Sequence, residues 1–207
     1  IDYELKRLET GKVARPIAVD AASGFAEGMF NLASALSINR AGAAALLYAR
    51  IAAYLRPDFP VAQLLMGDIF DISRRYADSI SIYRTIALDS PYSWLARLKM
   101  AENLNNTDQL DEAKALLETL ANERPKDIEP LLRLGSFLRV REEFAGAEEA
   151  YNRAFARLED LKPSNWSIYY YRGISRERLK KWDDAEKDFL KALELNPDHP
   201  YVLNYLG

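Results

Sequence analysis

The chain has 207 residues, of which 28 are Lys or Arg and 31 are Asp or Glu, so its net charge is −3 at pH 7. This balance argues against the broad basic surface that nucleic-acid-binding proteins present. The sequence contains no cysteine, which excludes disulfide bonds and thiolate metal ligands. Its most apolar stretch, Ala41 to Leu55, contains Arg50 and is too short to cross a bilayer as a helix.

The N-terminal region, residues 1–25, is predicted to be a helix followed by a linker. Residues 1–10 have a helical pattern, with Leu5 and Leu8 on one side, and could equally be the end of an earlier repeat. No period holds over residues 12–24, where Pro16, Ser23 and Gly24 are typical of irregular structure.

From residue 26 onward the sequence repeats itself with a period of about 34 residues. Pro57, Pro91 and Pro125 are evenly spaced at this period, and Pro197 follows after one such interval and a second, longer one. The repeats are 26–59, 60–93, 94–127, 128–161, 166–199 after a four-residue insertion, and the start of a sixth at 200–207.

Three columns of residues keep the phase of this repeat. Small residues occupy one column: Ala33, Gly67, Ala101, Gly135, Gly173 and Gly207. A second small column and a larger apolar column follow in the second half of each repeat: Ala45, Ser79, Ala113, Ala147 and Ala185, and Ala49, Tyr83, Leu117, Tyr151 and Phe189. Small residues let two helices approach closely, and the larger column supplies the apolar contact between them.

The clearest copy runs from Trp166 to His199 and predicts two short amphipathic helices. The first ends near Leu179, and the second stops at Asn196 because Pro197 cannot continue a helix. Intervals of three and four residues place four side chains of the second helix on one buried face: Trp182, Ala185, Phe189 and Ala192.

A helix–turn–helix unit of this length, with these columns, resembles the tetratricopeptide repeat family. The resemblance covers residues 26–207 and implies an all-α, right-handed superhelical solenoid of tandem helix–turn–helix units. The alanine-rich first repeat is similar to bacterial members. Because the chain begins at Ile1 rather than Met, it is expected to be a fragment of a larger protein.

Two local features lead to specific expectations. In repeat three, Thr107 or Asp108 is predicted to cap the second helix. The insertion 162–165 either lengthens the second helix of repeat four or widens the loop after it.

Repeat five departs from the pattern because it carries two arginines at apolar positions. Arg172 and Arg176 stand where repeat four has leucines, and a buried arginine needs an ion partner. Either acids such as Glu149 or Asp160 reach them, or the first helix of this repeat is rotated.

No catalytic constellation is apparent, and the prediction is that the chain is not an enzyme and holds no cofactor or metal. The one histidine, His199, has no partner ligand or triad neighbour in the sequence, which favours an exposed loop residue. Neighbouring carboxylates such as Glu148–Glu149 and Asp183–Asp184 are typical of solvated helix faces. Basic clusters near Tyr169–Tyr171 are mixed with acids, which favours a salt-bridged surface over nucleic-acid binding.

In the family that the chain resembles, the first helix of each repeat lines a concave groove that holds peptides of partner proteins. By phase, this resemblance implies the following groove residues: Phe30, Asn31, Leu64, Asp68, Asp71, Lys99, Glu102, Arg133, Arg139, Tyr170, Tyr171 and Glu177. Such a groove would be acidic near repeat two, basic near repeats three and four, and aromatic near repeat five. The alternative for each residue is packing between repeats or a solvated charge.

The resemblance implies a non-catalytic scaffold or adaptor that binds a partner protein or peptide. The alternatives are the repeat domain of a larger enzyme, or a self-association or spacer module whose exposed ends form a homo-oligomer. The expected location is the bacterial cytoplasm, or the envelope or periplasm, for a soluble protein without a transmembrane segment in this stretch.

Overall fold

The computed structural model describes residues 20–197 and 199–206, except for the side chain of Leu206. Within these residues all regular structure is helical, which confirms the all-α fold of tandem helix–turn–helix units. The helices are α1 (Ala21–Ile38), α2 (Gly42–Leu55), α3 (Pro60–Ile72), α4 (Tyr76–Tyr83), α5 (Ser93–Asn106), α6 (Leu110–Glu123), α7 (Glu129–Val140), α8 (Phe144–Phe155), α9 (Trp166–Arg178), α10 (Trp182–Leu195) and α11 (Pro200–Leu206). The helix predicted over residues 1–10, most of the predicted linker and Gly207 lie outside the described residues.

The chain forms two compact units, with the boundary between Asn103 and Leu104 inside α5. In the first unit, α1 packs against α2 and α3 against α4, and α2 joins the two hairpins by packing on α3. In the second unit, α7 pairs with α8 and α9 with α10, and α11 packs on α10. These helices therefore bury their apolar faces mainly against their neighbours in sequence, as expected for repeats of this kind.

Close approach of paired helices depends on the small and large columns that the sequence reveals. Three glycines of first helices each face a ring of the second helix, in the pairs Gly67–Tyr83, Gly135–Tyr151 and Gly173–Phe189. A Cβ atom on Gly135 would lie 2.7 Å from the ring of Tyr151, closer than real Cβ atoms come to other groups. The ring is fully buried, so glycine is needed there for the two helices to meet.

The turns between paired helices share one backbone conformation. A residue with positive φ, between 56° and 64°, occurs in each of five turns: Arg40, Arg74, Asp108, Glu142 and Lys180. The first four are evenly spaced, and the interval before Lys180 is longer by the length of the insertion, so the turns keep the period of the sequence. The left-handed region is unfavourable for residues other than glycine, and the packing of the two flanking helices holds the turn there.

The predicted cap of α6 is wrong. The N-cap residue is Gln109, which makes no side-chain capping hydrogen bond, because Asp108 itself takes the left-handed turn conformation. The carboxylate of Asp108 instead accepts a hydrogen bond from the guanidinium of Arg141 at 2.9 Å.

The first described helix begins earlier than the sequence predicts. The carboxylate of Asp20 caps α1 by accepting a hydrogen bond from the backbone N–H of Ser23 at 2.7 Å, and this bond holds the pKa of Asp20 below its usual value. Ser23 and Gly24, which suggested a linker, therefore lie in the first turns of a helix.

Repeat five differs from the prediction in two places. Ala185, Phe189 and Ala192 are buried as expected, but Trp182 is 59% exposed because it is the first residue of α10 and lies beyond the covered face. The insertion does not lengthen the preceding helix, since α8 ends at Phe155 and a wider joint leads to a 3-10 turn at Pro163–Asn165.

Candidate functional site

The predicted groove residues of the first unit take part mainly in internal contacts. The ring of Phe30 packs on Phe59 with 5.3 Å between centroids, and Leu64 is half-buried against Tyr83. Asn31 is exposed on α1. These side chains are positioned by the same helix faces that form the core of the unit.

Asp68 is engaged by two neighbours rather than presented as a free negative charge. Its carboxylate accepts a hydrogen bond from the hydroxyl of Tyr83 at 2.6 Å, and the ammonium of Lys99 lies 3.1 Å away. Burial and the carboxylate of Asp68 raise the pKa of the Tyr83 phenol well above its usual value. Asp71 and Glu102 are half-buried on α3 and α5. The acidic character predicted near repeat two is thus reduced by a lysine of repeat three.

In the second unit, two predicted groove arginines have different environments. The Nε of Arg133 donates to the carboxylate of Glu129 at 2.8 Å, one helical turn away on α7. The guanidinium of Arg139 lies over the ring of Tyr171, 4.5 Å from its centroid. Burial raises the pKa of Tyr151 to about 12, although the charge of Arg139 acts in the opposite direction.

Arg139, Tyr170 and Tyr171 meet in one pocket of about 350 Å³, which we call the aromatic–arginine pocket. Helices α7, α9 and α11 and the start of α8 contribute its lining: Arg139, Val140, Glu142, Phe144, Tyr170, Tyr171, Ile174, Arg178 and Tyr205. Glu177, the last of the predicted groove residues, lies beside this lining, with its carboxylate 3.2 Å from the Nε of Arg178. An apolar floor with cations at its edge can take an apolar side chain next to an anionic group.

An aromatic cluster supports the floor of this pocket from the side of α11. The ring of Tyr170 lies 5.9 Å from those of Trp166 and Tyr205, and Tyr205 stacks on Phe189 at 4.9 Å. Burial raises the pKa of Tyr170. These contacts between aromatic rings, which favour tilted and offset arrangements, hold the rings of Tyr170 and Tyr205 in place.

His199 also belongs to this cluster: it lies in the loop before α11, as predicted, but it is half-buried rather than exposed. Its ring lies 4.1 Å from that of Trp166 and 5.7 Å from that of Tyr201.

Over residues 20–197 and 199–206, no group of three His, Cys, Asp or Glu side chains is placed to hold a metal ion. In the same part of the chain, no helix combines the length and apolar character needed to cross a membrane.

The unusual arginines of repeat five are neutralised by acids that the sequence did not indicate. Arg172 and Arg176 both contact Asp188, which is 2% exposed, at 2.6 and 2.9 Å. Glu148 pairs with Arg176 at 3.0 Å and with Lys181 at 2.6 Å. Burial tends to raise the pKa of Glu148, but its bonds to Lys181 and Arg176 outweigh burial and lower that pKa.

This network settles the alternatives that the sequence left for repeat five. The partners of the arginines are Asp188 and Glu148 rather than Glu149 or Asp160. Glu148 is buried, so its predicted place on a solvated helix face is wrong. The network joins α8, α9 and α10, and its role is structural.

The pocket contains residues that the sequence analysis did not select, among them Phe144, Arg178 and Tyr205. A signal existed for Tyr205, which lies one repeat length after Tyr171 and therefore occupies the same phase in the sixth repeat. Arg178 and Phe144 lie at helix ends next to the turns. The positions within the repeat that predict groove residues do not include these ends.

Comparison with known proteins identifies the repeat. Two models described as tetratricopeptide repeat match residues 72–136 and 166–199. The chain is 27% identical over 137 residues, 66% of its length, to the general transcriptional corepressor ssn6 of Schizosaccharomyces pombe, and covers 12% of that protein. It is also 27% identical over 151 residues to a TPR repeat-containing protein of Pseudomonas aeruginosa, with 72% of this chain and 25% of that protein covered. The chain spans between 5% and 25% of the length of the curated relatives it matches.

Among solved structures, the chain is similar to YrrB, described as a TPR protein with an unusual peptide-binding site. The TM-score is 0.67 at 17% identity, with 91% of this chain and 98% of that chain covered. At this identity the likeness shows the fold.

Proposed function

Because this chain is built from tetratricopeptide repeats, we propose that it is a non-catalytic scaffold that holds a partner protein or peptide against the first helices of its repeats. The observation that carries the proposal is the aromatic–arginine pocket, where Arg139, Tyr170 and Tyr171 lie together. Half-buried tyrosines supply large contact areas at low conformational cost, which is the usual chemistry of a protein-binding surface.

The internal ion pairs decide which residues can test this proposal. Charge reversal at Lys99 would place a carboxylate next to Asp68, since the two side chains now lie 3.1 Å apart. Loss of binding in such a variant could follow from misfolding. Replacement of Tyr170 and Tyr171 by alanine removes contact area without bringing like charges together.

The experiment is a capture of partners from cell lysate on the immobilised protein, followed by calorimetry with the purified partner. Tyr54→Ala is the matched control, because Tyr54 is 85% exposed and lies on α2 of the first unit. We expect the partner to bind the control as it binds the wild type, and to bind the Tyr170→Ala, Tyr171→Ala variant about tenfold more weakly or worse. Equal affinity for both variants, with circular dichroism showing both folded, would contradict the proposed site.

Self-association is a second candidate, supported by the exposed apolar side chains of α11. Tyr201 and Leu203 project from this helix into solvent. Light scattering at several protein concentrations, with Leu203→Lys as the variant, tests this role. A dimer that the variant abolishes supports it, and a monomer at every concentration contradicts it.

A further inference from the structure

Arg139 stands apart from the other cations predicted to line the groove. Lys99 lies 3.1 Å from Asp68, and Arg133 lies 2.8 Å from Glu129. Among the described residues, no carboxylate forms an ion pair with Arg139, whose contacts are with aromatic side chains. Its Nε is buried and makes no hydrogen bond within the described residues.

A half-buried guanidinium without a counter-ion is an unfavourable arrangement that an incoming anion can relieve. Transfer of a charge from water costs free energy unless a paired group replaces the lost hydration. The ring of Tyr171 compensates in part through its face, 4.5 Å from the guanidinium carbon. The neighbouring phenol of Tyr151 is neutral and supplies no counter-charge, so the guanidinium can still pair with an anion that enters the pocket.

The surroundings of Arg139 define the rest of the ligand. The floor of the pocket is formed by Tyr170, Tyr171 and Ile174, and Arg178 adds a second cation at the rim. Arg178 shares the carboxylate of Glu177 at 3.2 Å and is more exposed than Arg139. The lining also contains one acid, the exposed Glu142, and Glu177 lies beside it. Among the described residues neither carboxylate forms an ion pair with Arg139, so an anionic occupant gains most there, whereas a cationic occupant would meet both arginines.

We infer that the aromatic–arginine pocket binds an Asp or Glu side chain of a partner peptide through Arg139, with an adjacent apolar side chain of that peptide on Tyr170 and Tyr171. This inference rests on the proposed function and specifies the chemistry of its partner. Guanidinium and carboxylate form short, paired hydrogen bonds, which give both affinity and orientation. The apolar neighbour removes water from the pair and so strengthens it.

The position of Arg139 favours a side chain over the terminal carboxylate of a peptide. Its Nε is buried, and the ring of Tyr171 covers one face of the guanidinium. A flexible acidic side chain can reach this group while its backbone stays outside the pocket. A terminal carboxylate would have to bring the main chain itself to the same depth.

The test is a selection from a random library of short peptides with amidated C-termini, displayed against the whole protein. We expect enriched peptides to carry Asp or Glu next to Leu, Phe, Tyr or Trp. Fluorescence anisotropy with an enriched peptide should show a loss of at least about tenfold in affinity for Arg139→Gln. The matched control is Lys126→Gln, which removes one positive charge from an exposed side chain that lines another pocket and should leave affinity unchanged.

Exchanging the charges of Arg139 and of the peptide acid distinguishes loss of the ion pair from misfolding of the variant. Arg139→Glu should bind the enriched peptide with its acid replaced by Lys more tightly than it binds the original peptide. Enriched peptides without acids, or equal affinity of wild type and Arg139→Gln, would overturn the inference. In that case, binding that depends on Tyr170 and Tyr171 would leave the proposed function standing, whereas a library without any enriched peptide would count against both.

Discussion

Replacement of Gly135 by alanine should destabilise the protein, although alanine is the better helix former. The added Cβ would lie 2.7 to 3.0 Å from three ring atoms of Tyr151. That residue is 1% exposed, so its ring is enclosed by neighbouring groups. The same change at Gly28 on α1 is the matched control, because a Cβ there meets nothing within 4 Å.

Two opposing effects set the magnitude. Overpacking of a dense core costs about 1–3 kcal/mol. The helix propensity of alanine over glycine contributes about 1 kcal/mol in the other direction. We therefore expect Gly135→Ala to lower the free energy of unfolding by up to about 2 kcal/mol, and Gly28→Ala to raise it by about 0.5–1 kcal/mol.

The sequence itself suggests a compensating change. Positions 101 and 117, in the same two columns of repeat three, hold alanine and leucine instead of glycine and tyrosine. Tyr151→Leu alone should cost about 1–3 kcal/mol through the space it leaves. The double variant Gly135→Ala, Tyr151→Leu should cost less than the sum of the two single changes, by about 1 kcal/mol.

Urea unfolding followed by circular dichroism compares these four variants with the wild type. For a chain of this size, each kcal/mol also moves the thermal midpoint by about 2–4 °C. Stabilisation by Gly135→Ala equal to that of Gly28→Ala would refute the reasoning, since it would mean that the helices separate without cost. Strict additivity in the double variant would show that Tyr151 is not the obstacle.

Three further changes test the turns and the buried charges by the same unfolding assay. Lys180→Gly should raise the free energy of unfolding by up to about 1 kcal/mol, because the backbone φ of Lys180 is 61° and glycine adopts this conformation without strain. Its control, Lys187→Gly inside α10, should lower the free energy of unfolding by about 1 kcal/mol. Changes of the same sign in both variants would contradict the proposed backbone strain at Lys180. Asp188→Asn should cost about 3 kcal/mol by leaving two buried arginines without their carboxylate, against less than about 0.5 kcal/mol for exposed Glu149→Gln. Because the pKa of Glu148 is lowered in the folded protein, its ion pairs contribute stability that is fully present above the usual pKa of 4.5 and is lost as the pH falls through the lowered pKa. Glu148→Gln should therefore reduce the loss of stability between neutral and acidic pH. An unchanged dependence of stability on acidic pH would argue against the pairing.

Much of the fold could be predicted because the repeat encodes it several times. The columns of Gly135 and Tyr151 indicated where helices meet, and the recurring prolines indicated where hairpins end. Local departures from the repeat were not predicted, because each depends on a single residue. Asp20 caps α1 inside a stretch that looked irregular, and Asp108 adopts the left-handed turn conformation instead of capping α6.

The candidate site was predicted less completely, since phase identifies which residues share a face but not which charges neutralise one another. Arg139, Tyr170 and Tyr171 were selected by phase and lie in one pocket. The pairing of Lys99 with Asp68 spans two repeats and requires the distance between them. Glu148 and Glu149 were interpreted together as solvated charges, although adjacent positions on a helix point in different directions and only Glu148 is buried.

The distribution of ion pairs bears directly on the proposed recognition. Asp188 and Glu148 neutralise Arg172 and Arg176, so these cations stabilise the packing of repeat five and have little charge left for a ligand. Arg139 lies over the ring of Tyr171 and forms no ion pair with a carboxylate among the described residues. A partner recognised through its charge should therefore gain most binding free energy at Arg139. There its carboxylate replaces solvent instead of competing with an existing ion pair. On this reasoning the selectivity of the proposed scaffold depends on which cations the fold leaves unpaired, more than on how many cations line the groove.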